Sequence, residues 1–337
     1  MEKGAVMKER VLITGSTGFI GSKTVDALLK QGDTVRILLR PESSLDRALS
    51  SKIEVCRASY LDGEALGRAV GDVDRVIHLA GVTGAASEEA FRAGNVVPAL
   101  NLLEAVKRYN PSLERFVLVS SQAAAGPAAS ARPGLSESDE PNPVSAYGRS
   151  KLLAEQVCLQ HAGGIPLTII RPPAVYGPGD RDVLQVFLMM RKGFFLSVAG
   201  SRKQRFSMIH VDDLVAGLLL AARSGAAAGQ TYFITSPEAC GWDDVINVAR
   251  SVLGFTRLFR IVLPRPLLFA LGTLIGTASA WTGKAGVINR DKVGELVQDY
   301  WVCSAEKAKN ELGFTAGTPL REGLRSTLQW YLEKGWL

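Results

Sequence analysis

Apolar residues along this chain follow two rhythms: compact runs of four or five, and longer stretches in which apolar positions recur three and four apart. The first rhythm suits strands buried on both faces, the second suits helices that bury one side. Val11-Leu-Ile-Thr14 leads into a glycine turn, and Phe19 to Lys30 then reads as a helix that Gly32 ends. Further strands are predicted at Val35–Leu39, Ile53–Cys56, Val76–Ala80, Phe116–Ser120 and Leu167–Ile170, with helical segments between them. Strands alternating with helices imply parallel pairing through right-handed crossovers. The predicted fold is therefore α/β, a doubly wound parallel sheet.

After Arg171 the alternation breaks down. Residues 8–176 are expected to form the sheet domain, with 207–235 returning to it. Residues 177–206 and 236–337 are expected to form mainly a smaller C-terminal substrate lobe. Ala123 to Pro143, rich in Ala, Ser, Pro and Gly, reads as a loop on the ligand-binding edge of the sheet.

Composition narrows the class. With 337 residues, 47% hydrophobic and 21% charged, the chain can bury a large core, and neither disorder nor a disulfide scaffold is favoured. Cys56, Cys158, Cys240 and Cys303 are far apart with no histidine pattern near them, so no metal site is expected and a reducing, cytoplasmic setting fits. The first ten residues carry Glu2, Lys3, Lys8, Glu9 and Arg10 without an apolar run, which argues against a secretory signal. The net charge of +6 is dispersed rather than blocked, so anionic cofactors are expected rather than nucleic acid. One stretch bears on membranes: Pro266 to Gly283 has no charge, lies between Arg265 and Lys284, and contains Gly272-x-x-x-Gly276. It is short for a span, and a packed helix of the small lobe is favoured over peripheral membrane contact.

Two motifs carry the chemistry. In Gly15-x-x-Gly18-x-x-Gly21, with Thr17, Phe19 and Ile20 between, absent side chains allow a tight turn and close approach of backbone to phosphate, and the following helix aims its first amides at that anion. A dinucleotide fold that prefers NAD usually ends its second strand in a carboxylate, but Arg40 stands here. A guanidinium suits a 2′-phosphate, so NADP is expected, with NAD still possible and a solvated strand-end arginine as the plain alternative. Asp62, after Leu61, either receives an adenine amino group or caps the next helix. The second motif is Tyr147-Gly-Arg-Ser-Lys151, which sets a phenol and an ammonium on one helix face.

Taken with His78-Leu79-Ala80-Gly81, Asn95, Ser120-Ser121, Arg171-Pro-Pro-Ala-Val-Tyr-Gly-Pro178 and His210-Val-Asp-Asp213, these motifs make the chain resemble the extended short-chain dehydrogenase/reductase family over nearly its whole length. The resemblance implies a Rossmann-type fold and a homodimer, with the Leu152-Leu153 side of the tyrosine helix contributing to the interface. It also implies Tyr147 as general acid/base, Lys151 as the group that binds the nicotinamide ribose and lowers the tyrosine pKa, and Ser121 as the hydroxyl that polarises the substrate oxygen. Pro173 and Val175 would line the nicotinamide, and Leu79, Ala80, Gly81 and Asn95 would adjoin the cofactor. His78, His210 and Asp212 are read as structural.

For the substrate, two branches of the family compete. Arg171-Pro172-Pro173, with Ala174 where nucleotide-sugar enzymes often hold asparagine, resembles the branch of 3β-hydroxysteroid dehydrogenases and dihydroflavonol-type reductases. Arg205 lies where nucleotide-sugar epimerases and dehydratases place a phosphate-binding arginine, although it also belongs to the basic run from Arg202. Tyr176, Ser121 and Arg205 are the candidate substrate contacts. The leading expectation is a hydroxyl–ketone oxidoreductase for a largely apolar small molecule. A nucleotide-sugar epimerase or dehydratase is the alternative, and a non-catalytic nucleotide-binding assembly factor a minor one.

Overall fold

The computed structural model describes residues 8–44, 52–200, 203–282 and 290–337. Arg202, Lys284 and the surroundings of Gly276 lie outside the described residues. Seven strands form the main sheet: β1 (Arg10–Thr14), β2 (Thr34–Leu39), β3 (Glu54–Arg57), β4 (Arg75–His78), β5 (Arg115–Val119), β6 (Leu167–Arg171) and β10 (Thr231–Phe233). Their order is β10-β6-β5-β4-β1-β2-β3, and every pairing is parallel. The order reverses at β1/β4, which opens a crevice at the C-terminal strand ends, where open parallel sheets bind ligands.

Alternation within the strands explains why both faces are covered. Val11, Ile13, Ile37 and Val117 face one core with α1 (Phe19–Gln31) and α7 (Val211–Arg223), while Leu12, Leu38, Val76 and Phe116 face another with α2 (Gly63–Val70), α3 (Glu88–Tyr109) and α5 (Ala146–His161). The central strands are largely apolar because neither of their faces meets water. The third strand starts one residue later than expected and is half-exposed, as its place at the sheet edge allows. The fourth stops at His78, two residues early, because the Ala80 amide turns to the Thr14 hydroxyl at 3.1 Å.

The second layer is smaller. Strand β9 (Arg205–His210) pairs with β7 (Ala174–Tyr176), β11 (Ala239–Cys240) and β13 (Tyr300–Trp301), while β8 (Phe194–Val198) pairs with β12 (Phe259–Leu263). Around them lie α6 (Asp182–Arg191), α8 (Trp242–Leu253), α9 (Arg265–Thr282), α10 (Arg290–Leu296) and α12 (Leu320–Glu333), with α11 (Glu306–Leu312) against the main core. The chain thus enters the small sheet at Ala174, and comes back to the main core through Ile209 of β9 and then α7. Tyr176, expected to touch substrate, is 1% exposed and sits in the small-lobe core with Phe187 and Tyr331. A period-two strand in a second sheet explains this: Tyr176 points inward while Val175 faces the cleft.

The short helix α4 (Gln122–Ala125) packs against α5 at Gly148, where an added Cβ would lie 2.3 Å from the Ala123 carbonyl oxygen. Backbone cannot yield there as a side chain could, so Gly148→Ala should force the two helices apart. The expected result is a loss of about 1–3 kcal/mol in urea unfolding. An unchanged midpoint would contradict this packing.

Candidate active site

The glycine turn follows directly from how β1 ends. Gly15 has φ +70°, and a Cβ there would approach the Ala80 nitrogen to 2.7 Å; at Gly21 it would approach the Gly15 carbonyl oxygen to 2.1 Å. Only glycine fits either place. Gly18 caps α1 without a side-chain hydrogen bond, so the first-turn amides are left for an outside acceptor. Thr14 fixes the neighbouring strand ends by bonding His78 Nδ1 at 2.8 Å. Burial holds the His78 imidazole neutral, with its pKa pushed down to about 3, which suits a structural role and not a base.

A cleft of about 950 Å³ runs from this turn to the expected reacting groups. Gly15, Thr17, Gly18, Phe19, Ile20 and Gly21 wall one end, and Leu79, Gly81 and Asn95 the middle. Ser121, Tyr147, Lys151, Pro173 and Val175 wall the other end. Ser121 caps α4 by accepting from the Ala123 amide at 3.1 Å, and Ser145 caps α5 by accepting from the Gly148 amide at 2.9 Å. Two helix starts therefore converge, and the Ser121 hydroxyl stands near enough to the Tyr147 phenol to favour its ionised form.

Burial dominates the titration of both Tyr147 and Lys151. It pushes the Tyr147 phenol up to about 12, with the nearby Ser121 hydroxyl pulling down and the charges of Glu295 and Asp182 pushing further up. It pushes the Lys151 ammonium down to about 8, opposed by the nearby Glu155. Lys151 Nζ donates to the Val119 carbonyl at 2.7 Å, and Asn95 holds the Val82 backbone through 2.7 and 3.1 Å bonds while donating to Ser150 Oγ at 2.8 Å. One turn beyond Lys151, Glu155 receives two nitrogens of Arg171, the closer at 2.6 Å, and the Ser120 hydroxyl. Ser120 is thereby engaged in the scaffold, whereas Ser121 faces the cleft.

Several expected contacts lie elsewhere. Arg40 is exposed and ion-paired to Glu42 at 3.4 Å, beside the glycine-turn end of the sheet and outside the cleft wall. Leu61 is 78% exposed. Asp62 caps α2, accepting from the Ala65 amide at 3.0 Å, which is the simpler of its two expected roles. The Ala80 amide is taken by Thr14. Arg205 donates to the Gln204 carbonyl and crowds Gly241, away from the cleft, because its strand position turns it outward from the small lobe. His210 caps α7 through Nδ1 and meets the Tyr176 ring edge-on, as a structural group would.

The structure adds residues that sequence reasoning missed. Lys23 and Asp26 extend the cleft along α1, facing Arg181, Trp330 and Trp336. The Arg181 guanidinium lies 5.3 Å from the Trp336 ring centre, and Tyr331 Oη donates to the Asp180 carbonyl at 2.7 Å, which ties the loop after Pro178 to the C-terminal helix. Only contact across 150 residues joins them, so no local pattern announces it. Among the described residues no cluster of His, Cys, Asp and Glu could hold a metal ion. The glycine cradle, the uncapped helix start and the Lys151 ammonium near Gly81 together fit a nicotinamide dinucleotide.

Comparison with known proteins agrees with this geometry. The profile of the NAD dependent epimerase/dehydratase family matches residues 11–235. Ceramide reductase of Caulobacter vibrioides is 30% identical over 97% of this chain and 96% of that protein. The 3 beta-hydroxysteroid dehydrogenase/Delta 5-->4-isomerase of Mycobacterium tuberculosis is 28% identical over 96% of this chain and 90% of its own. Among solved structures, MoeE5 in complex with UDP-glucuronic acid and NAD superposes with a TM-score of 0.76 at 25% identity, covering 96% of this chain and 99% of that one. The matched motifs, the seven-stranded sheet and the full-length likeness to these enzymes place the chain in the NAD-dependent epimerase/dehydratase family, as an enzyme of the extended short-chain dehydrogenase/reductase type.

Proposed function

We propose that the protein is an NADP-linked oxidoreductase interconverting a hydroxyl and a ketone on a largely apolar molecule, with Tyr147, Ser121 and Lys151 as its catalytic residues. The observation that carries this reading is the character of the reaction end of the cleft. Its wall is built from Val82, Val119, Pro172, Pro173 and Val175, two carboxylates act on the phenol, and Arg205 is absent from it. A diphosphate held there would meet the negative field of Glu295 and Asp182 without that arginine to offset it. The full-length likeness to a ceramide reductase and a hydroxysteroid dehydrogenase supports an apolar substrate.

When bound, the nicotinamide supplies or accepts the hydride. Ser121 donates to the substrate oxygen and positions it beside Tyr147, whose proton moves to or from that oxygen. A phenol at about 12 is a weak acid, and a substrate oxygen that gains electron density is the base it needs. Lys151, drawn toward the ribose hydroxyls and charged there, would lower that phenol. Glycine amides at the start of α1 hold the pyrophosphate, and Arg181 and Lys23 add positive charge along the same wall. Arg40 stands at the end of β2, with Glu42 as a replaceable partner for an incoming 2′-phosphate.

A nucleotide-sugar epimerase is the second reading, favoured by the fit to MoeE5, which is solved with a UDP-sugar and NAD. Denaturing the purified protein and identifying any released nucleotide by mass separates the two. Stoichiometric NAD would support an enzyme that recycles its hydride and would overturn the present reading. Protein that binds NADPH more tightly than NADH, with the preference reduced on the order of tenfold in Arg40→Ala, is the expected outcome.

Two further outcomes follow from the site. Tyr147→Phe should abolish turnover, a loss of at least about a hundredfold, while leaving the NADPH dissociation constant unchanged. In unliganded protein, the Lys151 pKa of about 8 lies below its ordinary value, so between pH 8 and 10 the unfolded chain binds more protons than the native one. Stability contributed by this group therefore rises with pH across that window, and above pH 10 the elevated Tyr147 begins to oppose it. Urea unfolding of Lys151→Met should show that rise removed; the same slope in both proteins would mean that Lys151 is not held in a desolvated site.

A further inference from the structure

Although the basic residues form no block, one long run of the chain lacks carboxylates altogether. From Val245 to Arg290 there is no Asp or Glu, while Arg250, Arg257, Arg260, Arg265, Lys284 and Arg290 fall within that run. These are six of 39 basic residues, which leaves 33 basic against 33 acidic residues in the rest of the chain. The whole excess of +6 therefore resides in a stretch of the small lobe.

The same stretch gathers five of the eleven exposed large apolar side chains among the described residues. Phe259 is 70% exposed, Val262 52%, and Ile261 and Leu267 46% each, and Leu271 continues the patch along α9. Strand β12 is the free edge of a two-stranded sheet, and α9 leaves directly from it through Pro264. Arg257 is exposed beside them, and Arg260 and Arg265 bond outward to Asp243 and Asp299 at 2.8 Å each, pairs at the surface that salt screens readily. Contiguous exposed apolar surface framed by arginine is the composition of an interfacial segment on an anionic bilayer. No described helix is long and apolar enough to cross a membrane, so the contact would lie on the surface.

Its position gives the patch a use. Leu268 of α9 packs with Val293 and Val297, and Leu263 of β12 joins that cluster. α10 carries Glu295, which accepts a 2.5 Å bond from Ser145 at the start of the catalytic helix. The patch thus belongs to the wall that adjoins the reaction end of the cleft. We propose that the face formed by Arg257, Phe259, Ile261, Val262, Leu267 and Leu271 docks on an anionic lipid bilayer, from which an apolar substrate enters. The substrate part rests on the reading given above; the surface itself does not.

The test is co-sedimentation of the intact protein with vesicles of phosphatidylglycerol and phosphatidylcholine, against vesicles of phosphatidylcholine alone, with no substrate present. Binding to the anionic vesicles at low salt, weakened by added salt, is expected. Arg257→Glu should lower the partition coefficient on the order of tenfold, and Phe259→Ser combined with Leu267→Ser by a similar factor. Both variants should bind NADPH and melt as the parent does, because the altered side chains are exposed. Equal binding to both vesicle types, or to neither, would overturn the proposal. So would self-association that the serine variant abolishes while vesicles are ignored, since that assigns the face to a second copy of the chain. Vesicle binding without turnover of any lipophilic ketone would leave the surface standing and reject the substrate reading.

Discussion

The candidate reacting groups depend on one buried carboxylate. Glu155 is 2% exposed, and a charge so far from water is stable only when geometry returns what desolvation costs. Here a bidentate guanidinium from Arg171 and a hydroxyl from Ser120 do so together. Arg171 ends β6, Ser120 follows β5, and Glu155 sits on α5, so the three bonds draw one helix onto two strand ends. Those elements carry Lys151, Ser121 and the Pro172-Pro173 pair. A shift of Glu155 would move all of them, and the guanidinium also lies 5.8 Å from the Phe233 ring centre, which joins the last strand of the sheet to the same knot.

This knot explains the titration of the cleft. The Lys151 ammonium is buried in a backbone-lined corner where burial favours its neutral form, and Glu155 one turn away is the opposing charge that keeps the shift moderate. Tyr147 lies on the first turn of the same helix without such a partner, so burial carries its phenol to about 12. One helix therefore presents an amine poised near neutrality and a phenol that holds its proton firmly. The proposed reaction would bring them under a shared influence, which a charged ribose-bound lysine would supply.

Much of this was legible in the sequence because it is local. Val11 to Gly21 announces strand, turn and helix within eleven residues, and backbone contacts at Gly15 and Gly21 account for each glycine. Tyr147 and Lys151 share a helix face by spacing alone. Alternatives stayed open where local pattern has two outcomes. Asp62 is as good a cap as an adenine acceptor, and Tyr176 alternates inward because its strand belongs to the second sheet. Arg205 has the right distance from His210 for a ligand arginine, yet strand direction turns it away. Glu155, Glu295 and Trp336 were silent because each acquires its meaning from a partner distant in sequence, a link that needs the assembled tertiary structure.

The distribution of charge follows a similar separation of tasks. Outside the run from Val245 to Arg290 basic and acidic residues balance, and the main-sheet surface is tied by pairs such as Arg36 with Glu54 and Asp72. Such pairing secures strand edges while leaving little long-range field. The small lobe instead keeps its arginines beside exposed phenylalanine, isoleucine and leucine, and keeps its carboxylates Asp182 and Glu295 near the phenol. Positive charge outside and negative charge within the same wall would favour approach of that lobe to an anionic surface and entry of an uncharged molecule. They would disfavour retention of an anionic one at the reacting end. The glycine turn, at the opposite end of the cleft, is the proposed place for phosphate, so on that reading a polar cofactor and an apolar substrate would occupy one continuous cavity without competing for the same groups.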